Sequence, residues 1–201
     1  CANTTVTVNA NPTAPTSAAV SPNTVCSGVS TNYTLTYSGG SAGGSGGTLR
    51  WYEGSCGGTS IGSGNSVTIT RSLTSNTTYY CRWESNSCGN SACANTTVTV
   101  NANPTAPTSA AVSPNTVCSG VSTNYTLTYS GGSAGGSGGT LRWYEGSCGG
   151  TSIGSGNSVT ITRSLTSNTT YYCRWESNSC GNSACANTTV TVNANPTAPT
   201  S

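Results

Sequence analysis

The 201-residue sequence contains no Lys, Asp, His, Met, Phe or Gln, and its charge rests on six Arg and four Glu. Each absence removes a mechanism. Without His or Asp, neither a Ser-His-Asp triad nor a facial metal triad can be assembled, and no cysteine has an imidazole to activate it. Calcium bridges built from Asp clusters are excluded as well, and intramolecular Lys–Asn cross-links cannot form without Lys. The unclustered Arg residues and a net charge of +2 give no basic surface of the kind that attracts nucleic acid or acidic lipid. No stretch of these residues approaches the roughly 18 apolar residues of a membrane span or reads as a signal peptide, so any targeting sequence is expected to lie outside this window. Neither catalysis nor a cofactor or metal is expected. Glu53 and Glu84 fall on strands expected to be neighbours, but each has an Arg nearby and reads as a surface ion pair rather than a glycosidase pair.

What the sequence does contain is repetition. Cys1–Val8 recurs at Cys93 and again at Cys185, and every residue of the first period returns 92 positions later without substitution. Dividing at the Pro-rich segments gives one repeat at 11–102 and an identical one at 103–194. Residues 1–10 then read as the last strand of a preceding repeat, and 195–201 as a linker into a following one. Each repeat has the size of one small domain with a single core.

No segment has helical periodicity. Short runs alternate with period two between Gly, Asn, Ser and Pro clusters, at Ala18–Val25, Thr31–Tyr37, Thr48–Glu53, Ser66–Arg71, Thr77–Glu84 and Ala94–Asn101. Their inward sets are Val20; Tyr33, Leu35 and Tyr37; Leu49 and Trp51; Val67 and Ile69; Tyr79, Cys81 and Trp83; Val98 and Val100. Leu73 is expected to plug a turn. The opposite faces are largely Thr, with Arg50, Tyr52, Tyr80 and Arg82, as when one sheet face packs and the other meets water. The fold expected is all-β, an antiparallel sandwich in tandem copies joined by short Pro-rich linkers. Gly39–Gly47 reads as a flexible loop rather than a phosphate cradle, since neither a Lys nor a helix follows it.

Thr24-Val25-Cys26-Ser27-Gly28, Leu49-Arg50-Trp51-Tyr52, Gly54-Ser55-Cys56-Gly57-Gly58, Thr77-Thr78-Tyr79-Tyr80 and Val98-Thr99-Val100-Asn101 together resemble the immunoglobulin-like repeats of very large Bacteroidota surface proteins. The resemblance covers the whole repeat. It implies tandem Ig-like domains exported by the type IX route, in proteins that include gliding and attachment adhesins. Cys81 departs from the small residue the pattern leads one to expect there.

Five Cys per repeat without His point to disulfides in an oxidising compartment, and hence to an extracellular, cell-surface location. In an Ig-like topology the turns after the first and third strands lie at one end, which implies a Cys26–Cys56 bond. Cys88 and Cys93 flank the last hairpin turn and form the second expected pair. The same pairs recur as Cys118–Cys148 and Cys180–Cys185, although five cysteines permit other solutions. Cys81 is left as a buried thiol behaving as a small hydrophobe, or as the source of an intermolecular or rearranged disulfide.

Arg50, Tyr52, Tyr80 and Arg82, repeated as Arg142, Tyr144, Tyr172 and Arg174, form a candidate interaction surface. Cross-strand shielding, packing against another copy, and stacking on sugars are the alternatives. The partners expected are the neighbouring repeats of the same chain, other copies in a filament, or surface glycans. The short segment Asn103–Thr108 is Pro-stiffened, so the repeats should follow one another at roughly 45 Å of contour. The function expected is a disulfide-stabilised spacer of a large surface adhesin or filament, and its rival is a carbohydrate-binding module of a secreted protein.

Overall fold

The computed structural model describes residues 1–197. The chain divides into two compact units, Cys1–Asn101 and Ala102–Ser201. The described residues of each are strand and turn, without helix.

The first unit contains β1 (Ser17–Ser21), β2 (Thr24–Cys26), β3 (Ser30–Ser38), β4 (Thr48–Glu53), β5 (Thr59–Ser63), β6 (Ser66–Ser72), β7 (Thr77–Ser85), β8 (Gly89–Asn90) and β9 (Ala94–Asn101). The second repeats them 92 residues on as β10 (Ser109–Ser113) through β18 (Ala186–Asn193). One sheet has the order β1-β3-β6, and the other runs β2-β9-β7-β4-β5 with β8 paired to β7. In the first unit all strand pairs are antiparallel except β2 with β9, which are parallel, and in the second the parallel pair is Thr116–Cys118 with β18.

The run expected as one strand, Ala18–Val25, is two strands in different sheets. Pro22 interrupts it, because it has no N–H to give to a ladder. β1 pairs with β3 in the smaller sheet, and β2 crosses to the edge of the larger one beside β9. β5 was not expected, since Ile61 is its only large apolar residue. It forms as the hairpin partner of β4.

The core of the first unit is Val20, Tyr33, Leu35, Leu49, Trp51, Ile69, Leu73, Tyr79, Cys81 and Val98, with Tyr37, Val67, Trp83 and Val100 packed against it. Every residue of the expected inward set is therefore in the core or against it. Trp51 is fully buried and donates its indole N–H to Gly64 O at 3.1 Å. Tyr37 meets Trp83 edge-to-face at 5.9 Å, a favoured geometry for an aromatic pair.

The Gly39–Gly47 loop is clamped rather than loose. Gly44 N donates to Ala10 O at 2.9 Å, and Thr13 and Ser41 exchange backbone bonds. Gly40 has φ +71°, and a Cβ there would lie 2.6 Å from Ala14 O, so only glycine lets the incoming chain lie this close.

Candidate functional site

The outward face of β4 and β7 is organised around Glu84. The ladder sets Arg50 opposite Arg82 and Tyr52 opposite Tyr80, and two cations facing each other would repel without an anion between them. Alternation carries Glu84 to the same face as Arg82. Its carboxylate accepts from Arg82 at 2.7 Å and from Arg50 at 3.2 Å, and it also accepts the Tyr52 hydroxyl. Burial pushes the Glu84 pKa up, but Tyr52, Arg82 and Arg50 outweigh it and hold the group below its ordinary value. Burial, followed by Glu84, raises Tyr52.

The expectation that Tyr52 faces water is corrected: only 6% of it is exposed. The turn between β4 and β5 folds back over this face, placing the Cys56 disulfide sulfur 3.9 Å from Arg82 Nη1 and Gly57 against the guanidinium. Arg82 in turn lies 5.3 Å above the Tyr52 ring. A ring covered in this way offers no face for a sugar to stack on. Tyr80 is partly exposed and Arg50 more so. The second unit repeats the arrangement: Arg142 and Arg174 reach Glu176 at 3.2 and 2.7 Å, Tyr144 is 5% exposed, and Tyr172 lies opposite it. The alternation of Arg82 and Glu84 was the available sequence signal for this hub.

Glu53 is bound separately, accepting from Arg71 of β6 at 3.3 Å. It and Glu84 pair at opposite ends of β4, five residue steps apart. That is roughly 17 Å along the strand, beyond the spacing of a glycosidase pair.

The disulfides differ from both expected pairings. Cys56 bonds Cys93 and Cys148 bonds Cys185, each across a sequence separation of 37. The pairing Cys26–Cys56 fails because β2 lies at one edge of the large sheet, with β9 and β7 between it and β4. The pairing Cys88–Cys93 fails because Cys93 precedes β9 while the turn after β4 folds over β7, so the bond straps the two strands that flank β7. Cys88 and Cys118, both expected in disulfides, carry free thiols. Cys26 and Cys180 are disulfide-bonded. Cys81 and Cys173 are buried free thiols, raised to about 11 by burial, hence neutral and poorly nucleophilic near neutral pH.

The family model described as "Ig-like domain CHU_C associated" matches residues 12–102 and 104–196. No curated protein sequence matches the chain. Among solved structures, the I-band fragment I67-I69 from titin is similar at TM-score 0.50 and 18% identity, covering 92% of this chain and 64% of that one. The fibronectin(III)-like modules of Clostridium thermocellum CbhA match at TM-score 0.40 and 14% identity, covering 88% and 94%. The full ectodomain of mouse nectin-like molecule 4 matches at 0.44 and 17%, covering 96% and 69%. The titin likeness supports the fold alone, whereas the family match spans both repeats and agrees with the resemblance to Bacteroidota Ig-like repeats. The chain belongs to the CHU_C-associated Ig-like domain family and carries two tandem copies of that domain.

Proposed function

We propose that each domain is a spacer in an extracellular surface protein, an adhesin or filament, whose work is to add length while resisting unfolding. One observation carries this reading: within each domain the chain enters at one pole and leaves at the other. Incoming Ala10 is bound by the Gly39–Gly47 loop, which leads into Thr48 opposite Glu84. The outgoing end of β9, Asn101, lies level with Cys26 at the far end of the sheet. A domain traversed from pole to pole adds its long dimension to an array. The Cys56–Cys93 strap resists mechanical and proteolytic opening, and belongs in an oxidising compartment. Internal pairing of Glu84, Arg82 and Tyr52 leaves the β4–β7 face mostly self-satisfied, which favours the spacer over the carbohydrate-binding module.

Electron microscopy of native extracellular material tests the reading. Fibres with an axial repeat near the expected 45 Å, roughly one domain plus linker, support it. Short isolated particles that bind a glycan array through Tyr80 and Arg50 would refute it in favour of the rival.

A further inference from the structure

Ser85, buried at the end of β7, ties two segments of the first unit together. Its hydroxyl is hydrogen-bonded to that of Ser45, in the Gly39–Gly47 loop. It also accepts the amides of Ser87 and Cys88, in the turn after β7, at 3.3 and 3.1 Å. Loop and turn are thereby fixed as two walls, and between them lies a pocket of about 170 Å³ lined by Ser45, Thr48, Arg50, Glu84, Asn86 and Ser87. Its surface is almost wholly polar. The hydroxyls of Thr48 and Ser87 and the amide of Asn86 make no side-chain bond among the described residues, so their capacity is open to a ligand. The second unit builds the same walls, with Ser137 bonded to Ser177 and Ser177 accepting the Ser179 and Cys180 amides.

The charge of the unit comes to rest in this pocket. Its charged side chains are three Arg and two Glu, so one cation is in surplus. Arg71 is matched by Glu53. Arg82 grips Glu84 twice, through Nε at 2.8 Å and Nη2 at 2.7 Å, and its side chain is 21% exposed. Arg50 reaches the same carboxylate only through Nε, at 3.2 Å, and is 48% exposed. The surplus charge is therefore that of Arg50, whose two Nη groups have no partner among the described residues.

A carboxylate answers that charge, because its two oxygens match the paired N–H groups of a guanidinium edge. The walls narrow the ligand further. They offer hydroxyl and amide groups with almost no apolar area, so the methylene stem of an acidic protein side chain would gain nothing there. A molecule with a hydroxyl on most of its carbons uses every wall. The volume is also below the roughly 300 Å³ at which pockets for drug-sized ligands begin, which leaves room for a single sugar ring.

We propose that this pocket is a subsite for one uronic acid residue of an acidic polysaccharide, with Arg50 taking the carboxylate and Thr48, Asn86 and Ser87 the ring hydroxyls. The subsite is preformed, since Ser85 has already ordered both walls before a ligand arrives. A half-exposed ion pair of this kind is weak and screened by salt. The inference goes beyond the spacer reading and does not rest on it: Tyr80 takes no part, and a domain adds its length whether or not the pocket is filled.

The test titrates the ¹⁵N-labelled full chain with sodium galacturonate, galactose and sodium acetate at constant ionic strength, following the backbone amides by NMR. The expected result is saturable shifts with galacturonate at Thr48, Arg50, Asn86 and Ser87 and at their counterparts 92 residues on, with a Kd on the order of 10 mM. Galactose should leave these signals in place, and acetate should bind roughly tenfold more weakly than galacturonate. Arg50→Gln with Arg142→Gln should weaken galacturonate about tenfold or more, with the remaining signals unmoved to show an intact fold. Thr48→Val with Thr140→Val should weaken galacturonate and leave acetate unchanged. Acetate binding as tightly as galacturonate would overturn the sugar assignment. Equal binding of galactose, or full galacturonate affinity in the Gln variant, would overturn the role of Arg50, and galacturonate shifts that are absent or fall elsewhere would overturn the subsite itself.

Discussion

Removing the strap should cost the domain a large part of its stability. The Cys56–Cys93 bond closes a loop of 37 residues, and the chain-entropy relation assigns such a closure about 4 kcal/mol at 25 °C. For a domain near 90 residues this corresponds to a fall in melting temperature of roughly 20 °C. The experiment substitutes Ser for Cys56, for Cys93 and for both, with the same changes at Cys148 and Cys185 so that the identical repeats melt together, and follows unfolding by calorimetry. Since all three variants break the same bond, they should melt at nearly the same temperature, the double change adding almost nothing to either single one. The pairing expected from sequence predicts otherwise. There Cys56→Ser would open a 30-residue loop and Cys93→Ser a five-residue one, worth about 4 and about 2 kcal/mol, and the losses would add. Additive losses, or a fall of less than about 5 °C, would refute the Cys56–Cys93 assignment.

Gly40→Ala with Gly132→Ala should cost well over 1 kcal/mol, because φ is positive and the new Cβ meets the backbone of Ala14 or Ala106; Gly46→Ala with Gly138→Ala, at similar φ in open space, should cost about 1 kcal/mol. Urea titration of the two variants separates steric from purely conformational cost. Glu84 is held below its ordinary value of 4.5 in the fold. Its contribution is therefore complete above that value and lost as the pH falls through the lower folded value. Glu84→Gln with Glu176→Gln should lower stability at neutral pH by roughly 1–2 kcal/mol and flatten melting temperature against pH in the acid range. Cys81 is raised from 9.0 to about 11 and Tyr79 from 10.0 to about 12. Both are neutral in folded and unfolded chains at neutral pH, and stability falls as the unfolded chain ionises first, between about pH 9 and 12. Cys81→Ala with Cys173→Ala should remove the lower part of that decline, and an unchanged alkaline profile would refute the assignment of these groups.

The parts of the fold that could be read directly were those with two-residue alternation over a packed face. Tyr33 and Leu35, Leu49 and Trp51, and Tyr79 and Cys81 declare which side is buried because one register alone places all of them inward. What escaped was set by chain path. Pro22 hands the first strand from one sheet to the other, and nothing in Ala18–Val25 states which sheet receives β2. The difference in the disulfides follows from this, since a Cys26–Cys56 bond requires an unbroken first strand. The burial of Tyr52 is hidden for a related reason: alternation sends it outward, as the structure has it, but does not show that the Gly54–Gly58 turn curls back and covers it. Gly39–Gly47 has the composition of a linker, and its order comes from the approach of Ala10–Pro15, remote in sequence. Residues 2–9 are identical in sequence to 94–101 yet form no strand, leaving Val6 and Val8 83% and 89% exposed. The strand character of β9 is conferred by the ladders of β7 and β2, not by its residues alone.

That contrast bears on how such an array folds. When every copy carries the same terminal strand, the groove beside β7 of one domain accepts the strand of any other copy with identical contacts, so contact energy cannot distinguish correct assembly from exchange, the characteristic hazard of repeat proteins. Cys93 stands immediately before β9, and its bond to Cys56 ties that strand to the body of its own domain. The strap thus acts as a marker of ownership: it records covalently which strand belongs to which domain, information that identical repeats have erased from the sequence.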